Sequence, residues 1–201
     1  MKYFIVGLHA SGKQEVLNTL EKMGVKCGHN FSNIENPDDS IYNVKNYEFY
    51  TNQDINEVFE NNAYIFIQEL PLSHMNFASV NKYYEGLSRY SFDQNDVFVL
   101  SPDQLLAISP TTINEPICLV WLDNTKNNRS TRYHAEKRGY NYIERDNYER
   151  RDIGTFVKTL YSFNNSSMLY FNDEDPARVA TIIYNTIIHP DTLELFTKNF
   201  N

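Results

Sequence analysis

Continuous apolar runs alternate along the chain with stretches in which apolar positions recur every three or four residues. "YFIV" (Tyr3–Val6) is the first run, as expected of a strand buried on both faces. "KQEVLNTLEKM" follows, with Val16, Leu17, Leu20 and Met23 on one face of a predicted helix that stops at Gly24. Residues 29–40, "HNFSNIENPDDS", are polar and contain Pro37, which predicts a surface loop. "YEFY" reads as a short strand, and Thr51 as the cap of a helix with an apolar stripe of Ile55, Val58 and Phe59. "AYIFIQEL" is another strand, and the Tyr-rich stretch after it, up to Ser91, has no period that assigns an element. "DVFVL" (Asp96–Leu100) and "ICLVWL" (Ile117–Leu122) are predicted buried strands, each followed by a helical pattern. "MLYF" (Met168–Phe171) is the last strand. In the final helix, "DPARVATIIYNTII", Asp175 is at the N-cap, Pro176 in the first turn, and Val179, Ile182 and Ile183 on the inner face.

Strand–helix alternation of this kind predicts a parallel sheet covered by helices on both faces, because parallel neighbours need crossover connections. The right-handed crossover then puts the loop after the first strand at the carboxyl edge of the sheet, where such folds bind ligands. That loop is "GLHASGKQ", Gly7 to Gln14. Gly7, Gly12 and Lys13 have the spacing of a phosphate-binding loop, GxxxxGK[ST]: glycines that let amide groups converge, a helix amino end behind them, and a lysine for the β and γ phosphates. Ser11 lies within it. Gln14 replaces the hydroxyl that usually takes a magnesium position and offers an amide oxygen instead. The competing reading is a strand-to-helix turn with chance glycines and a solvated lysine.

Composition narrows the function classes. At 201 residues, 41% of them hydrophobic, the chain is long enough to bury one core, and no stretch reaches the length of a membrane span. A net charge of −8 argues against nonspecific binding to a nucleic-acid backbone. Cys27 and Cys118 are too few for a disulfide framework or a zinc set, and "MKYFIVG" is too short for a signal sequence. The expectation is a cytoplasmic protein, monomer or homodimer, with no membrane and no nucleic acid among its partners. His29, His74, His134 and His189 have no metal-ligand spacing, no "GxSxG" nucleophile elbow occurs, and His9, inside the loop, could touch phosphate, although a loop histidine more often faces solvent.

One segment opposes the overall charge. Six of the eight arginines (Arg129, Arg132, Arg138, Arg145, Arg150 and Arg151) lie between residues 126 and 151. With Lys126 and Lys137 they face four acidic residues there, a local charge of +4. Arginine binds phosphate oxygens in a bidentate way, so the cluster points to a clamp for a polyanionic substrate; a solvated helix laced by pairs such as Arg132 with Glu136 is the alternative. Gly139 breaks the segment and would hinge a lid.

In order and spacing, over most of its length, the chain resembles the guanylate kinase family of nucleoside monophosphate kinases. "NYEFYTNQDINEVFENNAYIF" is similar to the family's "DYxF" element with its helix and strand, "NKYYEG" (Asn81–Gly86) to "GNYYG", "KRG" (Lys137–Gly139) to "RGRGT", and "LYFNDEDP" (Leu169–Pro176) to "VVNDDL". The resemblance implies a three-layer α/β P-loop NTPase fold with a central parallel sheet, a small acceptor-binding insertion and a helical lid. Its core would span about 1–30, 93–125 and 163–201, the insertion about 31–92 and the lid about 126–162. It implies phosphorylation of a nucleoside or deoxynucleoside monophosphate by ATP with Mg2+, the partners being small-molecule nucleotides. Lys13, Arg138 and Arg150 or Arg151 would neutralise the transferring phosphoryl group, and Gly7, Ser11, Gly12, Lys13 and Gln14 would cradle the donor. Tyr47 and Tyr84 would bond the acceptor phosphate, with Ser32, Glu69 and Asp103 completing the acceptor site. Two departures stand out. "FSNIENP" lacks both arginines of the family's "STTRxPR", and "LSPDQL" replaces "DIDxQG". They leave open a weakly active or inactive binding module, and, more distantly, a triphosphatase.

Overall fold

The computed structural model describes residues 1–33, 47–70, 83–135, 147, 150, 167–172 and 174–193. Nine strands are described: β1 (Lys2–Gly7), β2 (Cys27–Gly28), β3 (Asn30–Ser32), β4 (Tyr47–Phe49), β5 (Tyr64–Leu70), β6 (Tyr83–Ser88), β7 (Val97–Leu100), β8 (Ile117–Asp123) and β9 (Ser167–Asn172). The helices are α1 (Lys13–Lys22), α2 (Asn52–Glu60), α3 (Arg89–Gln94), α4 (Pro102–Ala107), α5 (Lys126–Ala135) and α6 (Pro176–Ile188). Five strands form a sheet in the order β2-β7-β1-β8-β9, and every neighbouring pair is parallel. From β1 the chain builds one side of this sheet, then crosses over β1 to build the other. The loops leaving the carboxyl edge therefore diverge beside β1, the topological switch point at which folds of this kind bind ligands.

The six residues of β1 are all buried, because the strand is central and covered on both faces. Phe4 and Val6 point into a core shared with Phe92, Phe98, Leu100 and Leu105. Tyr3 and Ile5 point the other way, into a core built with Val16, Leu17 and Leu20 of α1 and Val179, Ala180 and Ile183 of α6. Helices α1 and α6 thus form one outer layer; α3, α4 and a second sheet form the other. This second sheet has the order β4-β3-β6-β5 and mixes one parallel pair with antiparallel ones.

Most predicted elements are present where the pattern placed them. Thr51 caps α2 through a reciprocal capping box with Asp54, and Asp175 caps α6 by accepting from the Ala177 amide. Three expectations change. Asn30–Ser32, inside the predicted surface loop, is a buried strand at the centre of the second sheet, while 34–46 lie outside the described residues. The polar side chains Asn30 and Ser32 are accommodated because they face other polar groups rather than water. The unassigned Tyr-rich stretch contains β6 and the start of α3, with Ser88 capping the helix. The apolar stripe of α2 is only partly used: Ile55 is buried, whereas Phe59 is 60% exposed and stacks its ring on Tyr64. Among the described residues no helix is long and apolar enough to cross a membrane.

Candidate functional site

At the carboxyl end of β1 the chain turns sharply into α1. Gly7 is required there by space: a Cβ would lie 2.6 Å from Ser11 Oγ and 2.7 Å from the Leu122 carbonyl oxygen of β8. The curl itself is made further along, by Ala10 at φ 56° and Gly12 at φ 93°. A left-handed residue set beside a right-handed one turns successive amides to one side, the geometry of an anion nest, and Ala10 and Gly12 supply two left-handed positions. Ala10 holds this conformation at roughly 1–2 kcal/mol of local strain, of the kind found at functional sites. Gly12 is also the N-cap of α1 and supplies no side-chain hydrogen bond to it. The first-turn amides of α1 therefore face the loop with no capping side chain, and the helix dipole adds partial positive charge.

Lys13 folds back across this turn, its ammonium donating to the carbonyl oxygens of Gly7 at 2.7 Å and Leu8 at 2.9 Å. The cation is thereby fixed beside the nest. Gln14 donates its side-chain amide to Asn18 Oδ1 at 2.9 Å, one helical turn on. Ser11 is buried, and its hydroxyl has no hydrogen-bond partner among the described residues. His9, expected to face solvent, is only 6% exposed. The loop is walled by two residues that the sequence did not single out for this place. Asn124, just after β8, donates to the Ser11 carbonyl oxygen. Arg129 of α5, fully buried, donates to the carbonyl oxygens of Asn124 at 3.2 Å and His9 at 3.4 Å.

The acceptor candidates divide between the two faces of the second sheet. Strand register places Ser32 opposite Glu85, Gln68 opposite Glu85, and Asn30 opposite Tyr47, so these residues share one face. That face looks onto the amino end of α4. Gln68 donates to Asp103 at 3.2 Å, Gln104 donates to the buried Glu85 carboxylate at 2.7 Å, and Asn30 reaches Gln104 at 3.4 Å. Among the described residues the second carboxylate oxygen of Asp103 is buried with no hydrogen-bond partner, a position whose chemistry suits a water or a cation. Tyr84 and Glu69 share the opposite face, where the tyrosine hydroxyl donates to the carboxylate at 3.3 Å. Ser32, Tyr47 and Asp103 are thus brought to the α4 side, with Tyr84 and Glu69 across the sheet from them. Sequence reasoning missed Glu85, Gln68 and Gln104. The signal for Gln104 was available, because "SPDQ" is a capping box and Gln104 accepts from the Ser101 amide at 2.9 Å.

Of the basic segment, Arg129 is the buried residue just described, and Arg150 is helical and exposed. Arg138, Arg145, Arg151, Lys137 and the Gly139 hinge lie outside the described residues, as do Glu136 and the residues of "IENP".

No protein-family model matches the chain, and comparison of its sequence with curated proteins gives no match. Among solved structures, guanylate kinase from Anaplasma phagocytophilum superposes with a TM-score of 0.52 at 10% identity, over 99% of this chain and 87% of that one. A sugar kinase from a Janibacter species overlaps with a TM-score of 0.40 at 11% identity, over 96% of this chain and 98% of that one, too loosely to bear on the fold. The architecture is therefore an α/β fold shared with that guanylate kinase structure, a central parallel sheet of five strands with helices on both faces.

Proposed function

We propose that the protein is a phosphotransferase that moves the terminal phosphoryl group of ATP to a nucleoside or deoxynucleoside monophosphate. The observation that carries this reading is the loop after β1: left-handed Ala10 and Gly12, an α1 amino end without a side-chain cap, and the Lys13 ammonium beside it. These groups fit a triphosphate. The amides hold its β and γ oxygens in place, and Lys13 neutralises charge that grows on them as the phosphoryl group departs. Magnesium bound with the donor would supply further neutralisation, and Asp103, whose second carboxylate oxygen is unpartnered among the described residues, and the Gln14 amide oxygen would be the chain's own groups to hold it. Arg138, Arg150 and Arg151 are assigned to the transferring group from the other side, where planar guanidinium suits phosphoryl oxygens. The acceptor is assigned to the second sheet, with its phosphate toward Ser32 and Tyr47.

A coupled assay across the nucleoside and deoxynucleoside monophosphates tests the proposal. Turnover with at least one acceptor, abolished in Lys13→Ala, is the expected result. No turnover with any acceptor in folded protein rejects it. The second reading, a module that binds nucleotide without transferring phosphate, is favoured by one observation: the Gln14 amide is tied to Asn18 in the position where a hydroxyl normally serves the metal. ATP binding by calorimetry without turnover would establish it, and phosphate release without an acceptor would instead make the protein a triphosphatase.

A further inference from the structure

The two residues that wall the loop, Asn124 and Arg129, both come from the junction of β8 and α5, and neither is one of the phosphate-binding residues assigned above. What they grip is specific. Asn124 donates to the Ser11 carbonyl and Arg129 to the His9 carbonyl, so alternate peptide groups of the loop are held by their oxygens. A trans peptide is planar, with its C=O and the following N–H directed oppositely. Holding the His9 oxygen against Arg129 therefore directs the Ala10 amide away from α5, and holding the Ser11 oxygen against Asn124 does the same for the Gly12 amide. Ala10 and Gly12 are the two loop residues with left-handed backbone. Arg129 also donates to the Asn124 carbonyl, which fixes the asparagine that reaches Ser11.

From this arrangement we infer that Asn124 and Arg129 are positioning residues for the anion nest: they orient the Ala10 and Gly12 amides toward a polyphosphate before it arrives. The guanidinium, fully buried behind the loop, adds a fixed positive charge at the back of the nest. Preorganisation of this kind strengthens binding because the amides are not reordered when the ligand enters. The inference rests on the phosphate-loop reading of the previous subsection.

The test uses inorganic tripolyphosphate with magnesium as the probe, so that base and acceptor play no part. Calorimetry on the full chain is expected to show binding that weakens at least tenfold in Asn124→Ala and several-fold in Arg129→Lys, which keeps the charge but not the fork of donors. Acceptor affinity should be unchanged in both variants. Amide spectra of the unsubstituted protein give a readout that folding defects cannot imitate: the Ala10 and Gly12 N–H signals should move downfield on adding the probe. In Asn124→Ala the Gly12 shift should be lost while that of Lys13 remains. If both variants bind within twofold of the parent, or if the parent's Ala10 and Gly12 signals stay still while those of Lys13 and Gln14 move, the inference is overturned and the phosphate loop stands. Failure of the unsubstituted protein to bind the probe removes both.

Discussion

Single residues in this protein owe their chemistry to where the fold puts them, and the two cysteines show it most directly. Burial pushes the Cys118 thiol up to about 12. Cys27 is also raised to about 12, by burial first and then by the nearby carboxylates of Glu21 and Asp96. At pH 8 the thiolate fraction of each is then on the order of one in ten thousand, so neither behaves as a nucleophile in the folded chain. Iodoacetamide at pH 8 should label neither thiol until urea unfolds the protein, as followed by mass spectrometry. The sign for stability follows from the same shift. A thiol whose pKa is raised by folding favours the folded state fully below its ordinary value near 9, and loses that advantage as pH climbs toward 12. Thermal midpoints should therefore hold below pH 9 and fall above it, with Tyr3, raised chiefly by burial, adding to the decline. Replacing Cys118 with alanine should shrink that alkaline loss.

Between α4 and the second sheet, stability depends on polar groups meeting rather than on apolar contact. Gln104 closes the capping box of α4, accepts from Asn30 and donates to Glu85, which is only 3% exposed. Gln104→Leu removes these bonds while keeping the volume. Stranding buried polar groups in this way should lower stability by roughly 2–4 kcal/mol, read as a lower urea midpoint with the slope unchanged. The same sheet separates two tyrosines by face. If the acceptor phosphate is bound on the α4 side, Tyr47→Phe should raise the acceptor KM roughly tenfold with kcat little changed, whereas Tyr84→Phe should move it less, because the Tyr84 hydroxyl bonds Glu69 on the opposite face. Equal effects of the two substitutions would show that the pleat does not divide the site.

For the molecule as a whole, the relation between fold and ligand is thermodynamic. A triphosphate that binds only the folded chain must raise its stability, by about 2.7 kcal/mol at a hundred times its dissociation constant. In a chain of 201 residues that corresponds to an upward shift of the thermal midpoint of roughly 5–10 °C. ATP with magnesium should produce it, and Lys13→Ala should abolish it. If the chain acts on a nucleoside monophosphate, a set of monophosphates screened the same way should rank the acceptor bases.

The outline of alternating strands and helices, the strand-to-helix turn at Gly7–Lys13 and the caps at Thr51 and Asp175 were legible in the linear chain, because each depends on residues within a few positions of one another. The signals that failed were those whose partners are distant in sequence. Asn30–Ser32 looked like a polar loop because its satisfying groups, Gln104 and the strand around Glu85, come from more than fifty residues away. Arg129 read as one charge among many in a basic segment. Only the packing of α5 against the turn after β1 makes it a buried donor to His9. Local periodicity determined which elements form. Which polar side chains face each other, and so which of them shape a site, was decided by strand register and helix placement, since a hydrogen bond is fixed by position in space and leaves no periodic trace along the chain.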